Sequence, residues 1–453
     1  MSLMKKYADE LPEAPLRIVR RLREAGHQAY FVGGAPRDML LGERPKDYDV
    51  ATSASPEEIA RLFPDRLEIG AHFGIFAIVW DGIKTEIGIF RSDGAYLDGR
   101  RPERVSFGSA REDALRRDFS INGLFYDPIE DRILDYVGGR EDLERRILRA
   151  IGDPTQRFEE DALRLARAAR FALRFGLAIE PRTRKAIVEN AGRLALVSAE
   201  RIRDELIGIF TGPDPGGGLA LLSELGLLKI VLPEVEAMHG VEQPAQFHPE
   251  GDVFEHTVEC MRKLPPAPSL TLAFGMLLHD VGKPPTFERL DRIRFNNHAR
   301  MGALLCDAIC QRLRFSNRER ECIVGLVRDH MRFMDVQRMK RSTLRRFLAK
   351  PGFEEDLALH RADCLASKGA LDNWGFCLAA LAELRESRQA PAPPPLLNGR
   401  DLIALGLKPG PAFKMLLSQI YDAQLDGSIE TREAALDLAR HLAKDCSRAD
   451  VGR

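Results

Sequence analysis

Residues 28–52 read QAYFVGGAPRDMLLGERPKDYDVAT, and their pattern predicts the fold of the first part of the chain. Its apolar beginning predicts a short strand that runs into the glycine pair Gly33-Gly34. A helix over Arg37–Leu41 follows and ends at Gly42. A second strand contains Asp47–Val50. The alternation of strand and helix predicts an α/β unit.

Two further β-rich runs, residues 74–80 and 83–90, extend this unit. Asp81-Gly82 separates them, and such a pair between two strand patterns is a hairpin signal. From about Asp153 onward the strand signals end and the apolar periodicity predicts helices. The predicted fold class is an α/β head with a small mixed sheet and helices, followed by an all-helical neck, body and tail.

Two breaks subdivide the helical part. Asp214–Gly218 is rich in glycine, and Ala390–Pro395 predicts a stiff extended linker that isolates the tail. The predicted domains are a head (1–150), a neck (151–215), a body (216–390) and a tail (391–453).

The composition narrows the class of protein. The chain has 453 residues, 44% of them hydrophobic, with 67 Lys and Arg against 68 Asp and Glu. These values exclude global disorder and a uniformly basic nucleic-acid coat, but they allow a local basic groove. No uncharged apolar run reaches the roughly 18 residues of a membrane span, and the first residues do not predict a signal peptide. With scattered cysteines, we expect a soluble cytoplasmic protein that has reduced thiols and no membrane partner.

Three carboxylates predict a metal site in the head. Asp47 and Asp49 are two residues apart in the predicted strand, so their side chains should leave the same face. Glu86, in the second strand of the hairpin, can supply a third carboxylate. Mg²⁺ prefers such oxygen ligands, and the set suits a two-metal site. An isolated pair of this kind is usually a solvated strand end, but Gly33-Gly34 and Arg37 nearby favour phosphate binding.

The head resembles the class II tRNA nucleotidyltransferases and bacterial poly(A) polymerases. The resemblance rests on Phe31–Gly42 and Lys46–Thr52, in which Pro36 departs from the usual valine. Arg116–Leu124 resembles the second motif of that family, which contacts the triphosphate and ribose. The resemblance implies a nucleotidyltransferase fold in which Asp47, Asp49 and Glu86 are catalytic. It also implies nucleotide binding by Gly33, Gly34, Arg37, Arg117, Asp118 and Asn122.

Residues 160–171 predict one continuous helix with an arginine at every third position. At about 100° per residue, Asp161 and Arg164 are neighbours, whereas Arg170 falls on the opposite side. In the resembling family this motif selects the incoming nucleotide by imitating a Watson–Crick partner. Arg167 and Arg170 are then expected to bind phosphates or to serve the structure. The alternative is a surface helix with ion pairs along it.

The chemistry of base selection agrees with the residue types. A carboxylate only accepts hydrogen bonds and a guanidinium only donates them, which matches the amino group and ring nitrogen of cytosine and adenine. Guanine and uracil present a carbonyl beside an N–H. They would leave the carboxylate and the guanidinium without partners, at a cost of about 1–3 kcal/mol for each unpaired group. The segment Val197–Leu206 resembles the last neck motif of the family and is interpreted as scaffolding. Residues 91–102 predict an exposed loop, which in the family helps to reposition the template.

A third set of residues predicts a metal site in the body. Histidine and aspartate recur there in an order that resembles the HD phosphohydrolase superfamily, whose fuller versions hold two metals. Such ligands suit a transition metal, namely Mn, Ni, Co or Fe. Some tRNA nucleotidyltransferases carry such a domain with phosphatase or cyclic phosphodiesterase activity. His248 and His360 lie outside the pattern. The predicted ligands are His256, His279, Asp280, His298, His330 and Asp363.

The resemblance implies that the protein adds CMP and AMP from CTP and ATP to the 3′ acceptor end of tRNA. A poly(A) polymerase and an enzyme that adds only A are alternatives, as is an HD phosphohydrolase with an RNA-binding head. Arginines between 312 and 346 could form a stripe for RNA phosphates or an ordinary solvated helix face. The sequence names no protein partner.

Overall fold

The computed structural model describes residues 11–70, 74–93, 105–244, 246, 251–387 and 390–450. Its contacts divide the chain into two compact units. The first unit consists of the chain up to Glu236 together with the short segment Arg312–Arg314. The second unit contains the remaining residues. Within the described ranges, no helix combines the length and apolar character that a membrane crossing requires.

A seven-stranded mixed sheet forms the centre of the first unit. The strands of this region are β1 (Ala29–Val32), β2 (Asp49–Thr52), β3 (Leu67–Gly70), β4 (Ile75–Trp80), β5 (Ile83–Ile89), β6 (Arg91–Asp93), β7 (Val105–Phe107), β8 (Leu124–Asp127) and β9 (Arg132–Asp135). The sheet order is β3-β4-β5-β2-β1-β8-β9, with β2 and β5 parallel and the other neighbours antiparallel. The strands β6 and β7 form a separate two-stranded ribbon.

Helices and short turns complete the first unit. The helices are α1 (Glu13–Glu24), α2 (Gly34–Leu41), α3 (Pro56–Leu62), α4 (Ala110–Leu115), α5 (Gly139–Glu144), α6 (Pro154–Glu160), α7 (Leu163–Phe175), α8 (Pro181–Asn190), α9 (Ala199–Phe210), α10 (Pro215–Glu224), α11 (Leu228–Val231) and α12 (Pro233–Glu236). Two 3₁₀ turns, Ser120–Asn122 and Ala191–Leu196, and a parallel pair, β10 (Ile147–Leu148) with β11 (Ala178–Ile179), lie among them.

Both faces of the central sheet are covered. Alternate residues of β1 point to opposite sides, so that Phe31 joins one apolar cluster while Tyr30 and Val32 join another. The first cluster includes Ile18 and Val19 of α1, both fully buried. This packing holds the ends of β1 and β2 in place, and the candidate site lies at those ends.

The hairpin predicted at Asp81-Gly82 is confirmed. The strands β4 and β5 pair in register from Ile75↔Gly88 to Trp80↔Ile83. Asp81 and Gly82 have φ angles of 51° and 77°, the left-handed values that a two-residue turn between twisted strands requires.

The second strand begins at Asp49, so the prediction that it contains Asp47 is wrong. The last residue pair between β1 and β2 is Val32↔Asp49, because the chain leaves β1 at Gly33, where φ is 69°. Asp47 therefore has no strand partner and lies exposed in the segment before β2. The argument that strand pleating places Asp47 and Asp49 on one face does not hold.

The second unit is mainly helical. Its helices are α13 (Val253–Arg262), α14 (Leu270–Leu278), α15 (His298–Arg312), α16 (Asn317–Asp329), α17 (Arg341–Leu348), α18 (Phe353–Ala366), α19 (Asp372–Glu386), α20 (Gly399–Ala404), α21 (Pro411–Asp426) and α22 (Arg432–Asp450). Two 3₁₀ segments, Pro284–Thr286 and His330–Arg338, connect some of them. The small hairpin of β12 (Phe287–Arg289) and β13 (Ile293–Phe295) is an addition to the predicted helices.

The tail is not isolated by its linker, contrary to the sequence prediction. The buried guanidinium of Arg345 in α17 donates hydrogen bonds to the carbonyls of Ala390 and Pro391, at 2.6 and 3.1 Å, and of Leu425, at 3.3 Å. Asp426 accepts a further bond from the Ser342 amide. Proline has no N–H but keeps its carbonyl, so the linker remains able to bind an arginine.

Candidate active sites

A cavity of about 510 Å³ in the first unit brings together most of the residues predicted for nucleotide binding. It lies where β1, β2, the Ser120–Asn122 turn and α7 approach one another. The predicted residues that line it are Gly33, Gly34, Arg37, Asp49, Arg117, Asp118, Asn122, Asp161, Arg164 and Arg167. The cavity is also lined by Arg116, Leu163, Phe171 and Arg201, which were not predicted as site residues.

The carboxylates Asp49 and Glu86 are neighbours on the parallel strands β2 and β5, since Val50 pairs with Ile87. They also line a second cavity of about 140 Å³. Burial, together with repulsion from Glu86 and Asp47, raises the pKa of Asp49 to about 6. Asp49, Glu86 and Asp47 therefore form a set of oxygen donors that repel one another. A divalent cation would relieve this repulsion, so the residues present fit such an ion.

The glycine pair at the end of β1 shapes the floor of this cavity. Gly33 has a positive φ, and a Cβ atom there would lie 3.5 Å from Nη1 of Arg117 and 3.9 Å from Asp49. Any side chain at Gly33 would therefore be strained and would project toward the residues of the site. The bare backbone leaves room for a phosphate.

Four residues form a hydrogen-bonded chain along one wall. Nη1 of Arg37 donates to Oδ1 of Asn122 at 2.6 Å, and Nδ2 of Asn122 donates to Oδ1 of Asp118 at 3.0 Å. Arg167 completes the chain through its ion pair with Asp118 at 2.8 Å. Burial alone would raise the pKa of Asp118, but Arg167 and the bonds from Asn122 and a backbone amide hold it below its ordinary value. The hydrogen bonds and the ion pair thus hold the charged side chains of this wall in fixed positions.

The predicted helix over residues 160–171 is broken at Asp161, so that prediction is wrong. Helix α6 ends at Glu160, and Asp161 is extended, with φ −148° and ψ 103°. Its Oδ1 accepts a hydrogen bond from the amide of Leu163, where α7 begins. This bond stabilises a new helix start in place of one more helical turn.

Asp161 and Arg164 both line the cavity, but each has partners other than its predicted neighbour. Oδ2 of Asp161 accepts a hydrogen bond from Nη2 of Arg201 at 2.7 Å. Arg164 pairs with Glu160 at 2.8 Å and donates to the carbonyl of Arg116 at 3.1 Å. The structure therefore adds Arg201, from the segment interpreted only as scaffolding, to this site. Its signal is absent from the local sequence because its partner is 40 residues away.

Arg170 does not line this cavity. Its guanidinium pairs with Oε2 of Glu205 in α9 at 2.6 Å, so it joins α7 to α9. The loop predicted over residues 91–102 falls largely outside the described residues, which include only 91–93 of it.

The second unit brings all six predicted histidine and aspartate ligands into one cluster. Nε2 of His256 is 3.2 Å from Oδ1 of Asp363, and Nε2 of His279 is 3.2 Å from Oδ2 of Asp280. The same 3.2 Å separates the Nε2 atoms of His298 and His330. His298 also lies 3.6 Å, and His330 3.8 Å, from Oδ1 of Asp280.

The outer ring nitrogens hold these imidazoles in orientation. Nδ1 of His279 is 2.7 Å from the carbonyl of Met276, and Nδ1 of His330 is 2.7 Å from that of Val327. Their Nε2 atoms face inward, as metal-binding histidines with backbone partners do. Burial lowers the pKa of His330 to about 4, which keeps this ring neutral at neutral pH. Burial alone would raise the pKa of Asp280, but the neighbouring His279 and Lys283 outweigh it and hold this pKa well below its ordinary value.

Donor atoms in this cluster fall into two groups, each within 4.8 Å. One group is His256, Cys260, His279 and Asp363, and the other is Asp280, His298 and His330. Nε2 of His279 is buried and has no hydrogen-bond partner among the described residues. Neutral imidazoles with carboxylates and an unsatisfied inward nitrogen fit a divalent metal. Of the two histidines outside the pattern, His248 lies outside the described residues.

A largely apolar cavity of about 630 Å³ lies beside the histidine and aspartate cluster of the second unit. Its walls include Met331, Met334 and Phe295, and its polar end is formed by Lys283 and the cluster itself. The amine of Lys283 lies 2.6 Å from Asp280 and donates to Oε1 of Gln243. A small organic phosphate could place its apolar part against the methionines and its phosphate at the cluster.

Sequence comparison assigns domains to both units. Three family descriptions match: "Poly A polymerase head domain" over residues 29–149, "Probable RNA and SrmB- binding site of polymerase A" over 176–238, and "HD domain" over 252–367. An A-adding tRNA nucleotidyltransferase of Deinococcus radiodurans is 35% identical over 439 residues, which cover 92% of this chain and 96% of the relative. The chain belongs to the family of tRNA nucleotidyltransferases and bacterial poly(A) polymerases.

Other members of this family match part of the chain in sequence and nearly all of it in structure. The CCA-adding enzyme of Geobacillus kaustophilus is 44% identical over 216 residues, so this chain spans about half the length (53%) of that relative. The crystal structure of a Bacillus stearothermophilus CCA-adding enzyme in complex with CTP has a TM-score of 0.72 at 28% identity, covering 95% of this chain and 98% of that one. The predicted fold class is confirmed. A nucleotidyltransferase head and an HD domain both imply divalent metal ions.

Proposed function

We propose that this protein adds CMP and AMP from CTP and ATP to the 3′ acceptor end of tRNA without a nucleic-acid template. The observation that supports the proposal is the 510 Å³ cavity, which is lined both by Asp49, assigned here to a cation site, and by Asp161 and Arg164, assigned here to base selection. The family membership and the CTP complex of the Bacillus stearothermophilus relative support it.

In the reaction, the 3′ hydroxyl oxygen of the tRNA forms a bond to the α-phosphorus of the nucleotide. The bond from that phosphorus to the bridging oxygen breaks, pyrophosphate leaves, and the hydroxyl proton passes to solvent. We assign Asp47, Asp49 and Glu86 to hold Mg²⁺, which when bound supplies an acidified hydroxyl and a clamp on the triphosphate. Gly33-Gly34 lets the triphosphate approach the backbone.

The remaining residues position the substrate. Arg117 and the wall formed by Arg37, Asn122, Asp118 and Arg167 bind the triphosphate and ribose. Asp161 accepts from the amino group of cytosine or adenine, and Arg164 donates to the ring nitrogen. Arg170 supports α7, the helix that carries Arg164 and Arg167, through its ion pair with Glu205.

The proposal is tested with tRNAs that end at the discriminator base, at C or at CC, each offered one nucleotide at a time. We expect C addition to the first two, a single A addition to the third, and no further growth. The product lengths are resolved on a denaturing gel. An absence of any addition with Mg²⁺ would contradict the proposal.

Addition of A alone is the second candidate. It is favoured because the relative that matches along 92% of this chain is an A-adding enzyme. The same assay separates the candidates, since an A-adding enzyme would extend only the tRNA that ends in CC, and a poly(A) polymerase would continue past one A.

We propose that the HD cluster binds a transition metal (Mn, Ni, Co or Fe) and hydrolyses phosphate esters. The inward Nε2 atoms and the neighbouring 630 Å³ cavity support this activity. Hydrolysis of a 2′,3′-cyclic nucleotide with Mn²⁺, Ni²⁺ or Co²⁺ tests it.

The head (1–150), neck (151–215), body (216–390) and tail (391–453) are proposed as functional parts. A cytoplasmic location is also proposed, and the described cysteines, all free thiols, support it.

A further inference from the structure

Cys260 lies one helical turn after His256 on α13, and both side chains are fully buried. Residues four apart on a helix share one face, so the sulfur and the imidazole point to the same place. The Sγ atom of Cys260 is 3.4 Å from Nε2 of His256. It lies in the donor group that also contains His279 and Asp363.

Two distances within this group, both measured from Nε2 of His256, fit one tetrahedral ion. Bond lengths of about 2.1 Å to nitrogen and about 2.3 Å to sulfur place the two ligand atoms about 3.6 Å apart. The observed separation between Nε2 of His256 and Sγ of Cys260 is 3.4 Å. Equal bonds of about 2.1 Å to nitrogen and oxygen give about 3.4 Å, and Nε2 of His256 lies 3.2 Å from Oδ1 of Asp363. His256, Cys260 and Asp363 therefore already stand at the spacing of ligands to one ion, and the donor atom of His279 lies within 4.8 Å of theirs.

A second observation points to a ligand at this place. His279 is 1% exposed, and its Nδ1 lies 2.7 Å from the carbonyl of Met276, so its Nε2 bears the lone pair of the ring. Among the described residues this Nε2 makes no hydrogen bond, and it faces Oδ2 of Asp280, another lone-pair atom, at 3.2 Å. Leaving a polar atom buried and unpaired is destabilising, so such atoms usually have a partner. A metal ion within the group would accept the nitrogen lone pair.

We propose that Cys260 is a ligand of the metal ion held by His256, His279 and Asp363. This inference rests on the proposed metal binding of the HD cluster. On binding, the thiol loses its proton to solvent and Sγ donates an electron pair to the ion. A sulfur beside two imidazoles favours Zn²⁺ and Co²⁺ over Mg²⁺ or Mn²⁺. The second donor group, Asp280 with His298 and His330, contains no sulfur and lacks that preference.

The chain offers a matched control. Cys364 also follows a histidine by four residues on a helix, and its Sγ is 3.6 Å from Nε2 of His360. His360 stacks on Phe333, with 4.3 Å between ring centroids, and neither His360 nor Cys364 belongs to the two donor groups found among the described residues. All cysteines follow residue 259, so the head supplies no thiol.

The experiment titrates the full-length, metal-free protein with Co²⁺ and records both bound cobalt and the near-ultraviolet absorption of a thiolate–cobalt bond. Wild type and Cys364→Ala should show the band. Cys260→Ala and Cys260→Ser should lose it and bind the cobalt of this group at least about tenfold more weakly. The serine variant keeps the size of the side chain, and circular dichroism checks its fold.

The outcomes separate the inference from the function on which it rests. Cobalt bound by the second unit without the band, or a band that survives in Cys260→Ser, would overturn the role of Cys260 and leave the HD site standing. No cobalt bound there by the wild type would overturn both. A band lost only in Cys364→Ala would mean that Cys364, and not Cys260, supplies the thiolate, and would overturn the inference.

Discussion

Nη2 of Arg201 in α9 donates a hydrogen bond to Oδ2 of Asp161 at 2.7 Å, across 40 residues of sequence. The other oxygen of this carboxylate accepts from the amide of Leu163. Asp161 is therefore held by two donors before a nucleotide arrives. Because each oxygen keeps further acceptor capacity, the carboxylate can still accept from a base amino group in a fixed direction.

Arg201→Ala should loosen this orientation. We expect a lower rate of nucleotide addition and roughly tenfold weaker discrimination against UTP and GTP, since the carboxylate loses a charged hydrogen bond. Competition assays with mixed nucleotides measure this. Arg203→Ala is the control, because Arg203 bonds to Asp204 and to the carbonyl of Arg314 and does not line the cavity. Equal effects of the two variants would contradict the role of Arg201.

Asp161→Ala should damage the choice of base more than the binding of triphosphate. The variant removes an acceptor for the amino group, at about 1–3 kcal/mol, and leaves the Arg37–Asn122–Asp118 wall in place. Separate measurement of selectivity and of KM for CTP and ATP distinguishes the two effects. Glu159→Ala, an exposed change two residues earlier, is the control. Unchanged selectivity with weaker metal binding would argue against base selection.

The comparison of sequence and structure at Asp161 shows what could be predicted. Most of the residues that the structure brings together in the two candidate sites could be predicted, because motifs such as Phe31–Gly42 keep them close in sequence or in a fixed order. The break at Asp161 was missed, since one bond to the Leu163 amide overrides the helix preference of the whole segment. The tail contact was missed for a similar reason, because the composition of Ala390–Pro395 does not show that Arg345 binds its carbonyls.

Asp49→Asn should abolish nucleotide addition and yet stabilise the metal-free protein. The folded pKa of Asp49, about 6, lies above its ordinary value of 3.8, so the folded state bears a cost that is full above about pH 6. That cost disappears as the pH falls below about 4. Unfolding with a chelator should show a gain on the order of 1 kcal/mol near neutral pH, after allowance for solvent, and none in acid. Asp47→Asn, at an exposed position, should lose activity with a smaller gain.

Arg345→Ala should release the tail and lower the free energy of unfolding by about 2–4 kcal/mol, because three carbonyls lose a charged donor. The exposed Arg346 provides the control, because its partners Asp422, Ser418 and Tyr421 lie in α21 of the tail and not in the linker. Arg346→Ala should cost less than about 1 kcal/mol. Denaturant unfolding and the rate of proteolysis at residues 390–395 measure the difference. Equal proteolysis of the two variants would mean that Arg345 does not hold the linker.

The last prediction concerns the independence of the two metal clusters, which share no residue. Asp280 lies within 3.8 Å of the Nε2 atoms of His256, His279, His298 and His330, so Asp280→Ala removes a charge and a donor from the centre of the HD cluster. Nucleotide addition uses Asp49 and Asp161, which lie in the first unit. We therefore expect the variant to lose hydrolysis of a 2′,3′-cyclic nucleotide with Mn²⁺, Ni²⁺ or Co²⁺ and to extend tRNA normally. A wild type that hydrolyses nothing would make the cluster structural. A folded variant that has lost both activities would mean that the HD cluster supports nucleotide addition, because the head carboxylates are unchanged.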